Sequence, residues 1–170
     1  MTDTTEGLVR EITRAFAKHV QDDAMKRIAA CLARLDEAQV WSRPNPACNA
    51  IGNLLLHLEG NVRQWILLTL GGRAGARDRP AEFAARGEPD APDKDALVAA
   101  LASTVRDAVA VVESASAAHL LAIHPFQNGK FPGSGVAGVL HVMEHFSGHA
   151  YQIYDRTKQL TGQDLRFYDL

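Results

Sequence analysis

The chain has 170 residues, 46% of them apolar and 22% charged, the composition of an ordinary globule long enough to bury a core. A formal net charge of −2 gives no electrostatic reason to expect a nucleic acid or an anionic membrane as partner. Cys31 and Cys48 stand in neither a C-x-x-C nor a zinc-finger spacing, so a disulfide framework is not expected and a reducing compartment is. No basic-then-apolar leader opens the sequence, and no apolar run approaches the roughly 20 residues of a bilayer span. The expectation is one cytoplasmic domain over residues 1–170.

Leu8, Ile12 and Phe16, then Met25, Ile28, Leu32 and Leu35, recur at spacings of three and four and predict a long helix from about Thr5 to Ala38. The two prolines between Trp41 and Pro46 break it. Asn49 is the expected cap of a second helix whose stripe runs Ile51, Leu54, Leu55, Leu58, Val62, Trp65, Ile66 and Thr69. Gly71-Gly72 should stop that helix through a left-handed residue. The stretch Gly71 to Pro92 is irregular and long, which in a compact domain means function or disorder. Asp93 should cap a third helix carrying Leu97, Leu101, Val105, Ala108 and Val112, which frays before His119. Asn128-Gly129 suits the tight turn of a short hairpin within 120–131. Ser134 should cap a last helix to about Leu160, with Val136, Val139, Leu140, Met143, Phe146, Ala150, Ile153 and Tyr154 inward. Four long amphipathic helices with almost no strand predict an all-α, up-down four-helix bundle.

Of the seven histidines, His141, His145 and His149 follow one another at four-residue intervals on the last helix. Imidazoles one turn apart on one face can converge on a single ion at about 2.0–2.1 Å. One ion cannot take all three, since eight residues span about 12 Å of axial rise. Either His141 with His145 or His145 with His149 forms the pair, and another helix supplies the remaining ligand. Alone, such a pair is more often solvated or packed than metallated. The stripe around it holds Gly138 and Gly148, each costing about 1 kcal/mol in a helix, which implies close approach of something. His57 lies at the edge of the apolar face of the second helix, in a polar stripe with Asn53, Asn61 and Gln64. His19 and His119 read as surface residues, and His124, before Pro125, is given no role.

The run His57-Leu58-Glu59-Gly60-Asn61-Val62-Arg63-Gln64-Trp65, taken with Glu144-His145-Phe146-Ser147-Gly148-His149-Ala150-Tyr151-Gln152-Ile153, resembles the DinB-like (DinB/YfiT) superfamily, a group described as metalloenzymes. Within it the chain looks most like a subgroup of unknown function. The segment Arg77-Asp78-Arg79-Pro80-Ala81-Glu82-Phe83 and the tail Asp164-Leu165-Arg166-Phe167-Tyr168-Asp169 add to the resemblance, which runs from about Leu32 to the C-terminus. It implies a DinB/YfiT-type four-helix bundle with one divalent metal, nickel or zinc, held by His57, His145 and His149, and so selects His149 over His141. It also implies, from some relatives, transfer of a low-molecular-weight thiol to an electrophile. Tyr151 stands where many relatives have glycine, and is expected to narrow the pocket.

These observations lead to the expectation of a metal-dependent thiol S-transferase or hydrolase acting on a small molecule. Three neutral imidazoles leave an ion its full double charge, which acidifies a bound water or thiol. Gln152 is the candidate catalytic residue, able to hydrogen-bond a ligand. Asn53 or Asn61 would orient His57, and Arg77 or Arg79 would hold a substrate carboxylate. No Ser-His-Asp or Cys-His constellation, P-loop or GxGxxG run is present. The competing expectation is a non-catalytic, metal-binding homodimer, with Trp41, Trp65 or Phe167 in its interface. No nucleic acid and no membrane are expected as partners.

Overall fold

The computed structural model describes residues 2–87, 89 and 91–167. The chain opens as one continuous helical rod: α1 (Thr2–Phe16), a stretch of wider π-helical turns (Ala17–Met25) and α2 (Lys26–Leu32). It does not reach Ala38. The chain turns at 33–36, and Asp36 caps a new short helix, α3 (Glu37–Trp41), by accepting from the Gln39 N–H while the Gln39 side chain accepts from the Asp36 N–H. The π-helical turns also reset the phase of the apolar stripe. Phe16, Val20, Ala24, Met25, Ile28 and Leu32 face the core, whereas Leu8, ahead of the wide turns, points to solvent.

The second rod is α4 (Ile51–Val62) followed by another π-helical stretch (Arg63–Leu70). Its cap is Ala50 rather than Asn49, because the Asn53 side chain reaches back to accept the Ala50 N–H. The Gly71 N–H closes a wide turn on the Ile66 carbonyl, and Gly72 takes the left-handed conformation that ends the rod. The third rod, α6 (Lys94–Ser114), starts on the Asp93 cap as expected and buries Leu97, Leu101, Val105, Ala108 and Val112. The fourth, α8 (Gly135–Thr161), starts on Ser134 and ends at Gly162.

Between the second and third rods the chain is not structureless. Asp78 caps a short helix, α5 (Arg79–Ala84), with Pro80 in its first turn, and α5 packs on α4. Between the third and fourth rods, α7 (Ala117–Leu121) leads into a hairpin of β1 (Ile123–Phe126) and β2 (Phe131–Ser134), antiparallel with Phe126 opposite Phe131. The chain is mostly helical, as expected, and the short hairpin expected within 120–131 forms over 123–134. Asn128-Gly129 does lie in its turn, but the loop is four residues long with Gln127, Asn128 and Gly129 all at positive φ.

The core lies where α4 meets α6 and α8, with the first rod closing it. On α8 the buried face is Gly138, Val139, Val142, Phe146, Ala150, Ile153 and Tyr154. Leu140, expected inside, is 52% exposed, while Val142 is fully buried. The face is turned toward the histidine stripe because the Phe126 ring from β1 lies against the backbone of Gly138, where a Cβ would strike it. That accounts for one of the two helical glycines; Gly148 borders open space. The tail folds back as well: Leu165 is buried, Arg34 donates to the Asp164 and Leu165 carbonyls, and Phe167 packs on Tyr154. Tyr168 and Asp169 lie outside the described residues.

Candidate metal centre

His57 sits mid-way along α4, and His145 and His149 lie one turn apart on α8. The two helices pack directly, which brings the three imidazoles together. One nitrogen from each falls within 4.8 Å of the others, and His57 is buried while the other two are half-buried. The ring centroids are 4.9 Å apart for His57 and His145, 5.0 Å for His57 and His149, and 4.5 Å for His145 and His149. His57 Nε2 and His145 Nε2 approach to 3.0 Å.

The tautomer of His57 follows from its other nitrogen. Nδ1 lies 2.9 Å from Glu82 Oε2, which can only accept, and 3.0 Å from Arg77 Nη2, which can only donate; since Nη2 already donates to Glu82 Oε2, an Nδ1–H donating to the carboxylate is the tautomer that leaves Nε2 to a metal. Nε2, the other ring nitrogen, faces His145 Nε2. Glu82 is in turn gripped by Arg77, which donates from Nε to Oε1 at 2.6 Å and from Nη2 to Oε2 at 2.8 Å, a bidentate fork. Arg77 also donates to the Gln64 amide oxygen and to the His57 carbonyl. Burial works to raise the Glu82 carboxyl, but the Arg77 and His57 hydrogen bonds outweigh it and hold it below the usual carboxylate value. Phe83 covers the His57 ring at 4.8 Å.

His149 is oriented by the same logic. Its Nδ1 lies 3.0 Å from Gln152 Oε1, an acceptor, so the proton sits on Nδ1 and Nε2 is free. Burial pushes the pKa of His149 down, and pushes that of His145 down to about 3, helped by the other imidazoles and Arg77. Burial thus favours the neutral, ligating form of His145 and His149, and three nitrogens with carboxylate and amide partners behind two of them fit a borderline divalent ion.

Several expected roles change. Gln152, the candidate catalytic residue, lies 3.0 Å from His149 Nδ1 and orients that ring. Asn53 does not touch His57; it accepts from Arg43 and donates to the Glu82 and Ala85 carbonyls, pinning α5 to α4. Asn61 lies with His141, not His57. Arg77 is committed to Glu82 and cannot hold a substrate. His141 is packed, its ring stacked on Trp65 at 3.8 Å, and does not join the cluster. Tyr151 faces another hollow, with His19, Asp23, Arg27 and Tyr154, so it does not narrow this one. Of the proposed interface residues, Trp65 is buried, Trp41 packs between Gly52 and Gly87, and Phe167 is covered by Tyr154 and Arg27. His124 is buried in β1 and lies 2.9 Å from the His119 carbonyl, a structural contact.

Glu82 is the residue sequence reasoning missed. Its signal was present: an aspartate followed by Arg-Pro marks a helix start, and a carboxylate in the first turn of that helix is a natural partner for a ligand histidine. A cavity of about 360 Å³ opens beside the cluster, lined by His57, Asn61, Gln64, Arg77, Arg79, Gln127, Phe131, His141 and His145.

No curated protein matches the chain. Among solved structures, the crystal structure of a DinB-like protein from Bacillus subtilis, YjoA, is similar with a TM-score of 0.63 at 15% identity, over 91% of this chain and 94% of that one, which is a likeness of fold. A family model described as the DinB superfamily matches residues 20–153, a span that holds the three histidines, Glu82 and Gln152. With well over half of its length in that match, the chain belongs to the DinB superfamily.

Proposed function

We propose that this protein is a metal-dependent enzyme, a thiol S-transferase or hydrolase acting on a small molecule, with one divalent ion, nickel or zinc, on His57, His145 and His149. In this reading residues 1–170 form one domain, the four rods are an up-down four-helix bundle, and the protein is cytoplasmic, in keeping with two free cysteines. Among the described residues no helix is long and apolar enough to cross a membrane.

The observation that supports the reading is the 3.0 Å approach of two imidazole nitrogens, with a third imidazole nitrogen within 4.8 Å of both, at the wall of an open cavity. Two lone pairs cannot stay so close unless a proton or a cation lies between them. When bound, a divalent ion supplies Lewis acidity to a substrate atom that coordinates it. The residues do the rest: Glu82 and Gln152 fix the rings, α5 and Phe83 keep water from the back of His57, and the cavity positions the substrate.

Elemental analysis of the purified protein tests the site. About one equivalent of nickel or zinc is expected, lost in His145→Ala and kept in His141→Ala; equal loss in both would move the site one turn along α8. The enzyme reading then needs turnover in a panel of thiols with electrophiles, or of small esters and amides. A second reading, a non-catalytic metal-binding homodimer, is favoured by Leu121, Ile123, Phe131 and Leu140, each more than half exposed on the neighbouring elements α7, β1, β2 and α8. Metal content without turnover, together with a dimer dissociated by Leu140→Glu, would select it.

A further inference from the structure

The lining of the cavity beside the histidines identifies the class of molecule it takes. It contains two arginines and no carboxylate. The charge of Arg77 is spent on Glu82. Arg79 is different: it is exposed, its guanidinium lies 5.5 Å over the Phe83 ring, and it has no carboxylate partner among the described residues. A guanidinium propped on an aromatic face presents its planar fork in a fixed attitude, suited to a carboxylate. Across the cavity Asn61 is 3% exposed, yet its amide oxygen has no hydrogen-bond partner in the protein, while its amide nitrogen lies 3.5 Å from His141 Nε2. Gln127 and Phe131, at the two ends of the hairpin loop, form the rim, and Phe131 is 57% exposed.

From this we infer that the substrate is a small organic carboxylate: Arg79 pairs with the carboxylate, and the uncharged polar wall of Asn61, Gln64 and His141 takes the rest of the molecule. A single fork and uncharged amides match a monoanion better than a phosphate dianion, which wants more cationic donors. The inference rests on the metal-site reading above, since the ion fixes which end of the molecule reacts. Asn61 and Arg79 are thereby specificity residues for the proposed reaction.

The test uses the full-length, metal-loaded protein and two probes that differ only in charge, N-acetylcysteine and its C-terminal amide, with binding followed by calorimetry. N-acetylcysteine is expected to bind at least about tenfold more tightly than the amide, as one charge-assisted pair implies. Arg79→Met should remove that preference while leaving metal content at the wild-type level, and Asn61→Leu should weaken both probes alike. Inorganic phosphate in place of the probes should bind more weakly than N-acetylcysteine. Equal affinity for acid and amide, a preference that survives Arg79→Met, no binding of either probe to the metal-loaded protein, or tighter binding of phosphate would each overturn the assignment. A purified protein without metal would instead remove the reading on which it rests.

Discussion

Glu82 Oε2 lies 2.9 Å from His57 Nδ1, so a ligand histidine of one rod is set by a carboxylate from the connection that follows it. Glu82→Gln keeps the shape and removes the charge. It should lower metal affinity by about 10–100-fold, the usual cost of losing such a partner, as measured by competition with a chromogenic chelator. Glu82→Ala should do more, because it strands Arg77, whose side chain is 5% exposed. A buried charge without its partner costs about 3–5 kcal/mol, read as a loss of unfolding free energy in urea. Unchanged metal affinity in Glu82→Gln would show that His57 is oriented by packing alone.

Gly60 is where α4 lets this pair approach. A Cβ there would overlap the Glu82 carboxylate and come within 2.9 Å of Arg77 Nε. Gly60→Ala gains about 1 kcal/mol of helix propensity, so a harmless site would become more stable. The expected outcome is the reverse: a net loss of about 1–3 kcal/mol from overpacking and weaker metal binding. Thermal unfolding and metal competition on the same sample check both.

The metal-free protein should lose stability on mild acidification. His145 is held down to about 3, chiefly by burial and then by the neighbouring imidazoles. An unfolded histidine takes its proton near pH 6.5, the folded one only near pH 3. The unfolded chain therefore binds more protons between these values, and stability falls as pH drops through that window. His149 and His141 are shifted the same way. Urea unfolding at pH 7 and pH 5 should show the loss, and His145→Gln should shrink it. A stability independent of pH in that range would count against neutral, crowded imidazoles.

Tyr151→Gly should leave metal content and ligand affinity as they are, because that side chain borders the hollow shared with His19 and Asp23. The only expected cost is up to about 1 kcal/mol of helix propensity and a lost ring contact with Tyr154. Altered access to the metal, seen as a changed rate of chelator attack, would refute that placement.

Much of this was legible in the residues. Asp93 and Ser134 start their helices where the sequence says, and the four-residue spacing of His141, His145 and His149 offered two candidate pairs, between which the resemblance chose. What escaped was non-local. Leu8 read as core from its four-residue spacing to Ile12 and Phe16, but each such step drifts about 40° round a 3.6-residue helix, so Val9 packs on the core and Leu8 is exposed; on α8 the Phe126 ring lies against Gly138, and Val142 is inside where Leu140 was expected. Likewise, Asn53, His57, Asn61 and Gly60 look like a polar flank in a linear reading. Asn53, His57 and Gly60 are buried because α5 folds back over them, while Asn61 meets His141 of α8, and no periodicity within α4 announces a cover supplied 25 residues later. Arg77 and Arg79 look alike in sequence, and only the fold separates the one engaged by Glu82 from the one left open.

The connection after the second rod has a consequence for how the centre could change over time. All three nitrogen donors sit on stiff helices, yet the group that fixes the first of them, and the arginine that steadies that group, belong to a short solvent-facing segment tethered to α4 by the Asn53 side chain. Insertions, deletions or a proteolytic nick between residues 71 and 92 would leave every ligand in place and still alter how tightly an ion is kept. Such a centre can be retuned, or switched off, from its edge.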